Sequence, residues 1–84
     1  MNWDDVRIFL AVARAGQILA AARRLGVSRA TVARRVSALE AALKTRLLTR
    51  RTNGCDLTPA GEAFLLSAER MEAEMLSVRS SLGD

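Results

Sequence analysis

Along the first fifteen residues the apolar positions Val6, Phe9, Leu10 and Ala13 recur at i, i+3, i+4 and i+7, which is one face of a helix. Asn2 or Asp4 can cap its start, and Gly16 stands where a left-handed residue would close it, so the pattern predicts a helix over about 3–15. Trp3 is expected to pack at its N-terminal end. Ile18 to Leu25 is alanine-rich and is stopped by Gly26; Ala20, Ala21 and Ala22 favour helix and let a neighbouring helix come close. Ser28 is suited to an N-cap, and behind it Val32, Val36, Leu39 and Leu43 predict a helix over about 29–42 with one buried stripe. Past Leu43 the period fades. Leu47-Leu48-Thr49 reads as a short strand, Arg50-Arg51-Thr52-Asn53-Gly54 as a turn with an Asn-Gly signal, and Asp56-Leu57 as the returning strand. Thr58 and Pro59 have the form of an N-cap and a first helical residue, opening a helix from Pro59 to Leu82 that is about 36 Å long.

The elements add up to a mainly α fold: a winged helix-turn-helix over residues 1–58, with a three-helix core and a short hairpin wing, then a long helix over 59–84. On that last helix Phe64, Ala68, Met71, Met75, Val78 and Leu82 step by 4, 3, 4, 3 and 4, a heptad seam. A helix this long outruns so small a domain, so the seam is expected to pair with a second copy of the chain. Packing against its own domain is the alternative, and Leu65 and Leu76 widen the stripe for it. The outward face of the third helix carries Arg29, Ala30, Ala33, Arg34 and Ser37, with Arg35 on its flank, and no acid. A basic, acid-free helix start suits insertion into a DNA major groove.

Charge sharpens this picture. The net charge is +4, yet residues 1–22 sum to zero, residues 23–51 to +8 and residues 52–84 to −4. The middle stretch holds nine cations (Arg23, Arg24, Arg29, Arg34, Arg35, Lys44, Arg46, Arg50 and Arg51) against Glu40 alone. A basic middle between neutral and acidic ends is the footprint of a polyanion-binding face. Arg50 and Arg51 enter the wing, which then either lies along a DNA backbone or is an ordinary loop with solvated arginines.

Inventory narrows the chemistry. Eighty-four residues make one small domain with a thin core, or a fragment of something larger. The chain has no His and one Cys, so it can assemble neither an internal disulfide, nor a zinc site, nor a Cys–His nucleophile. No metal, no cofactor and no enzymatic activity are expected. Asn2-Trp3-Asp4-Asp5 is not the start of a secretory leader, and the longest uncharged stretch, Ala15 to Ala22, is too short to span a bilayer. A cytoplasmic protein is the expectation. Cys55, in the predicted wing, is either a small loop residue or an exposed thiol able to link two chains.

Several of these residues form a known series. Phe9-x-x-Val12-Ala13-x-x-Gly16, Ala21-Ala22-x-x-Leu25-Gly26-Val27-Ser28, Val32-x-Arg34-x-Val36-x-x-Leu39-Glu40, Leu47-x-x-Arg50 and Leu57-Thr58-x-Ala60-Gly61 together resemble the N-terminal domain of LysR-type transcriptional regulators, over nearly the whole chain. The resemblance implies a winged helix-turn-helix, a linker helix that dimerises as a coiled coil, and binding to interrupted palindromic DNA sites. It also implies a C-terminal effector domain for a small molecule, absent from this chain, and higher oligomers of the full-length protein. Carried over by position, the DNA-reading residues are Ser28, Arg29, Ala30, Thr31, Ala33 and Arg34. Thr31 or Arg35 would meet phosphates, and the wing would contribute Arg50 with its neighbours Arg51 and Asn53.

The chain departs from the family pattern in places. Arg29-Ala30 replaces a frequent Gln-Pro, which shifts the expected base from adenine toward guanine. Ala33 replaces a frequent Ser, Asn53 a frequent basic residue, and Leu19 a frequent Ser or Thr read as the cap of the second helix. Losing that cap should cost about 1 kcal/mol unless Gln17 or water satisfies the amides. A different reading of the sequence is a protein-interaction adaptor whose working surface is the 64–82 seam.

Overall fold

In a computed structural model, which describes residues 1–83, the chain runs α1 (Trp3–Ala15), α2 (Ile18–Leu25), α3 (Arg29–Leu43), β1 (Leu48–Arg51), β2 (Gly54–Leu57) and α4 (Pro59–Gly83). Asp84, the last residue of the expected 59–84 segment, lies outside the described residues. Helix boundaries follow local chemistry. Asn2 accepts from the Asp4 amide at 2.8 Å to cap α1, so the cap is Asn2 and not Asp4. Gly16 and Gly26 close α1 and α2 in the left-handed conformation, at φ 75° and 70°. Lys44 does the same for α3 at φ 55°, without a glycine's freedom, and its backbone N–H is satisfied by α3 carbonyls.

The core is the meeting of four apolar stripes. Val6, Phe9, Leu10 and Val12 of α1 face Ala21 and Ala22 of α2, Val32, Val36 and Leu39 of α3, and Leu47 and Leu48 before and within the wing. Each large side chain buried there contributes about 1.5–3 kcal/mol. The alanines of α2 supply the close approach that their size allows.

The hairpin is antiparallel, pairing Leu48 with Leu57, Thr49 with Asp56, Arg50 with Cys55 and Arg51 with Gly54. Its turn is therefore the two residues Thr52 and Asn53. This corrects the expected turn over Arg50–Gly54, since both arginines are strand residues and Gly54 opens β2. The reason is a contact: a Cβ on Gly54 would stand 2.7 Å from the Gly16 carbonyl oxygen. That same carbonyl accepts from the Cys55 amide at 2.9 Å. Glu40, the lone acid of the basic stretch, accepts from the amides of Leu47 and Leu48 at 2.7 and 3.2 Å and so anchors the strand to α3.

The last helix starts against the same segment. Thr58 Oγ1 accepts from the Gly61 amide at 2.9 Å and donates to the Arg46 carbonyl at 2.6 Å. Gly61 is buried so close to the Leu47 carbonyl that a Cβ there would overlap it. Farther along, Phe64 meets Phe9 edge to face at 5.3 Å between ring centroids, Ala68 is fully buried, and Met71 is half-buried against the core. Arg14 of α1 donates to both carboxylate oxygens of Glu72, at 2.9 and 2.7 Å. These hydrogen bonds hold the Glu72 carboxyl below its ordinary range and raise the Arg14 guanidinium.

The heptad seam is thus divided, which corrects its first half. Phe64, Ala68 and Met71 are taken up by the chain's own core, because the α1 stripe offers them an apolar surface. From Ala73 to Gly83 every residue is exposed, including Met75, Val78 and Leu82. Leu65 packs on the domain as the widened stripe allowed, whereas Leu76 is exposed. Among the described residues no helix is long and apolar enough to cross a membrane.

Candidate nucleic-acid interface

The turn between α2 and α3 is built from small parts. Gly26 turns the chain, and the Val27 amide reaches back to the Ala22 carbonyl at 3.1 Å. Ser28 accepts from the Thr31 amide at 3.1 Å and its hydroxyl donates to Thr31 Oγ1 at 2.9 Å. Both hydroxyls expected at the DNA are therefore engaged in the α3 cap. Arg29, Ala30 and Arg34 are exposed on the outer side of α3, and Ala33 is half-buried beside them.

Arg35 is placed differently from the others. Its guanidinium donates to Asp5 at 3.1 Å and lies 3.9 Å from Asp4, so it is drawn toward the start of α1. Asp5 is the one buried charged residue among those described, 8% exposed, and Arg35 supplies its counter-charge. Asp4 is also gripped by Arg7 at 2.8 Å, and that hydrogen bond lowers the Asp4 carboxyl pKa.

The remaining cations sort into two sets. Arg7, Arg14, Arg35, Arg46 and Arg51 each have a carboxylate within 4.0 Å, Arg51 through Asp56 at 2.8 Å. Among the described residues Lys44, Arg70 and Arg79 form no ion pair, and neither do Arg23, Arg24, Arg29, Arg34 and Arg50. The last five are all exposed and lie on α2, α3 and the wing. An arginine with no internal partner keeps all five donors for something else. Arg29 and Arg50 face one cleft of about 330 Å³, whose walls include Gln17, Leu19 and Asn53.

Three roles were not visible in the sequence. Gln17, not Leu19, is the N-cap residue of α2, and its side chain makes no capping bond; its amide donates instead to the Asn53 carbonyl at 3.1 Å. Cys55 is half-buried, as the hairpin partner of Arg50, and packs against the core. Glu40 had one usable signal, its isolation among nine cations, which marks a carboxylate held for a structural reason.

Residues 3–62 match the family of bacterial regulatory helix-turn-helix proteins described as lysR. The chain belongs to the lysR family. TcbR of Pseudomonas sp. strain P51, a helix-turn-helix-type transcriptional regulator, is 46% identical over 71 residues, covering 84% of this chain and 24% of that protein. ClcR of Pseudomonas putida, another such regulator, is 43% identical over 82 residues, covering 95% of this chain and 28% of that protein. This lysR-family chain thus spans about a quarter of the length of the curated relatives it matches. Among solved structures, the CbnR DBD–DNA complex is 44% identical with a TM-score of 0.87, covering 96% of this chain and 91% of that one. The BenM DBD–benA site 1 DNA complex is 26% identical with a TM-score of 0.91, covering 96% and 94%. The lysR-family fold is a winged helix-turn-helix, in which α2 and α3 form the motif and β1–β2 the wing.

Proposed function

We propose that this chain is the DNA-reading head of a dimeric transcription regulator. The outer face of α3 enters a major groove and the wing lies on the adjoining backbone. One observation carries the reading: of the seven arginines without a carboxylate partner among the described residues, five cluster on α2, α3 and the wing, whereas the other two, Arg70 and Arg79, lie on α4 among four glutamates. Arg34, with Arg29, Ala30 and Ala33 around it, reads base edges, and Arg50 binds phosphate. Ser28 and Thr31 shape the turn and offer their remaining hydroxyl capacity. Arg51 and Asn53 border the contact, and Arg35 serves chiefly as the partner of Asp5. The solved complexes of the CbnR and BenM domains with DNA support the same reading for this chain.

Dimerisation uses the exposed half of α4, through Met75, Val78 and Leu82. Two copies would read an interrupted palindromic operator, and a small-molecule effector would act through a further domain of the longer protein. The relatives being transcription regulators, a non-enzymatic, cytoplasmic role fits this chain, and the adaptor reading draws no support from them. Titration of a duplex at two salt concentrations tests the proposal. Affinity should fall steeply as salt rises, because each neutralised phosphate releases counterions; a salt-independent Kd would sink it. On an operator selected from a random duplex pool, Arg34→Ala should cost about 1–3 kcal/mol and relax the base preference at one position. An unaltered preference would remove Arg34 from the reading face.

A further inference from the structure

The wing meets the rest of the domain at the corner between α1 and α2, and Gln17 sits in that corner. The Cys55 amide donates to the Gly16 carbonyl at 2.9 Å, and Gly54 comes close only because it has no Cβ. Those contacts fix the start of β2. The turn itself, Thr52 and Asn53, is exposed, and Gln17 Nε2 reaches it by donating to the Asn53 carbonyl at 3.1 Å. Gln17 occupies the N-cap of α2 with extended backbone, φ −150° and ψ 141°, where a side-chain oxygen usually accepts from the helix's own first amides. It makes no such bond. Its side chain points away from the helix it begins and toward the hairpin tip.

The position of that tip matters to two cations. Arg50 pairs with Cys55 two residues from the turn, and it shares a cleft with Arg29, Gln17 and Asn53. A tip free to swing would change the separation of Arg50 from Arg29, and so the fit to a rigid sugar–phosphate backbone.

We propose that Gln17 is a positioning residue for the wing: its side-chain amide holds the hairpin tip so that Arg50 meets a DNA phosphate. The role rests on the DNA-binding reading above. It acts through Arg50 and contributes no base contact of its own.

The test uses the 84-residue chain and a fluorescent 30-base-pair duplex of mixed sequence, since a phosphate contact needs no operator. Gln17→Ala should weaken binding by roughly 2–10-fold, the worth of one hydrogen bond, and lower the slope of log K against log salt by about one. Arg50→Ala should do the same, and the Gln17→Ala/Arg50→Ala double variant should bind no more weakly than Arg50→Ala alone. Gln17→Ser separates positioning from helix stability. Serine can cap α2 but cannot reach Asn53, so this variant should melt higher than Gln17→Ala yet bind as weakly.

A readout free of DNA completes the design. Amide exchange followed by NMR at Thr52, Asn53 and Cys55 should quicken in both Gln17 variants. Unchanged exchange, additive losses in the double variant, or full binding by Gln17→Ser would overturn the proposal. Quickened exchange in a chain whose unsubstituted form shows no salt-dependent binding would instead overturn the DNA-binding reading, and with it the role of Gln17 in binding.

Discussion

The two halves of α4 carry the same heptad spacing and meet different fates. From Pro59 to Glu72 the helix is fastened to the domain, by Gly61 under the Leu47 carbonyl, Phe64 on Phe9, Ala68 in the core and Glu72 on Arg14. From Ala73 to Gly83 every residue is exposed, with Met75 46%, Val78 52% and Leu82 82% open to solvent. Periodicity reports which face of a helix is apolar. It does not report who covers that face; that depends on where the body of the domain ends.

The sharpest way to break the contrast is at its fastened end. Gly61→Ala inserts a Cβ against backbone that cannot move aside as a side chain could. It should destabilise the fold by about 3 kcal/mol or more, read as a large fall in the thermal midpoint or as failure to fold. A near-normal melt would mean that α4 can shift outward freely.

Phe64→Ala and Val78→Ala compare the halves directly. Phe64 is half-buried, so its loss should cost about 2–3 kcal/mol, whereas Val78→Ala should stay within about 0.5 kcal/mol for the monomer. Urea titration at low protein concentration would measure both. Similar losses would erase the division of the seam.

Met75→Glu probes what the exposed half is for. Sedimentation over a range of concentrations should show that it abolishes self-association while leaving the monomer's stability within about 0.5 kcal/mol. A dimer that survives it would place the interface elsewhere.

The smallest effect lies at the join. The Arg14–Glu72 pair is partly exposed, so Glu72→Gln should cost only about 0.2–1 kcal/mol near neutral pH. Its sign with pH is fixed by the depressed Glu72 carboxyl. The contribution is complete above the ordinary glutamate pKa of 4.5 and is lost as pH falls through the lower folded value. An acid melt series should therefore show the two proteins converging as pH falls below the ordinary value of 4.5, with the Glu72→Gln curve the flatter.

Most of the helical frame was legible because its signals are local. Gly16, Gly26, Ser28 and Thr58 end or begin helices through their own conformations and hydrogen bonds, so α1, α2 and α3 fall within a residue of the expected spans. What the sequence hid is long-range pairing. Nothing near Asp5 announces Arg35, thirty residues on, and nothing near Gln17 announces the Asn53 carbonyl. Asn53-Gly54 misled for the same reason. It is a turn signal in isolation, but the Gly16 carbonyl claims the glycine for a close approach, and the turn settles one residue earlier. The free arginines were visible as a charge excess; which of them lack partners was not, because Asp5 and Asp56 choose Arg35 and Arg51 only in three dimensions.

That α4 runs unbroken from Gly61 to Leu82 has a consequence for its far end: along a continuous helix, residue count is also an angle. One residue inserted at Ala73 would advance the tip by about 1.5 Å and swing Met75, Val78 and Leu82 by about 100° around the axis relative to the anchored head. Seven inserted residues would lengthen the arm by about 10 Å and return the apolar edge to within about 20° of its bearing. The helix is thus a phase-keeping strut, and the orientation of any second head attached through it depends on its length modulo a turn.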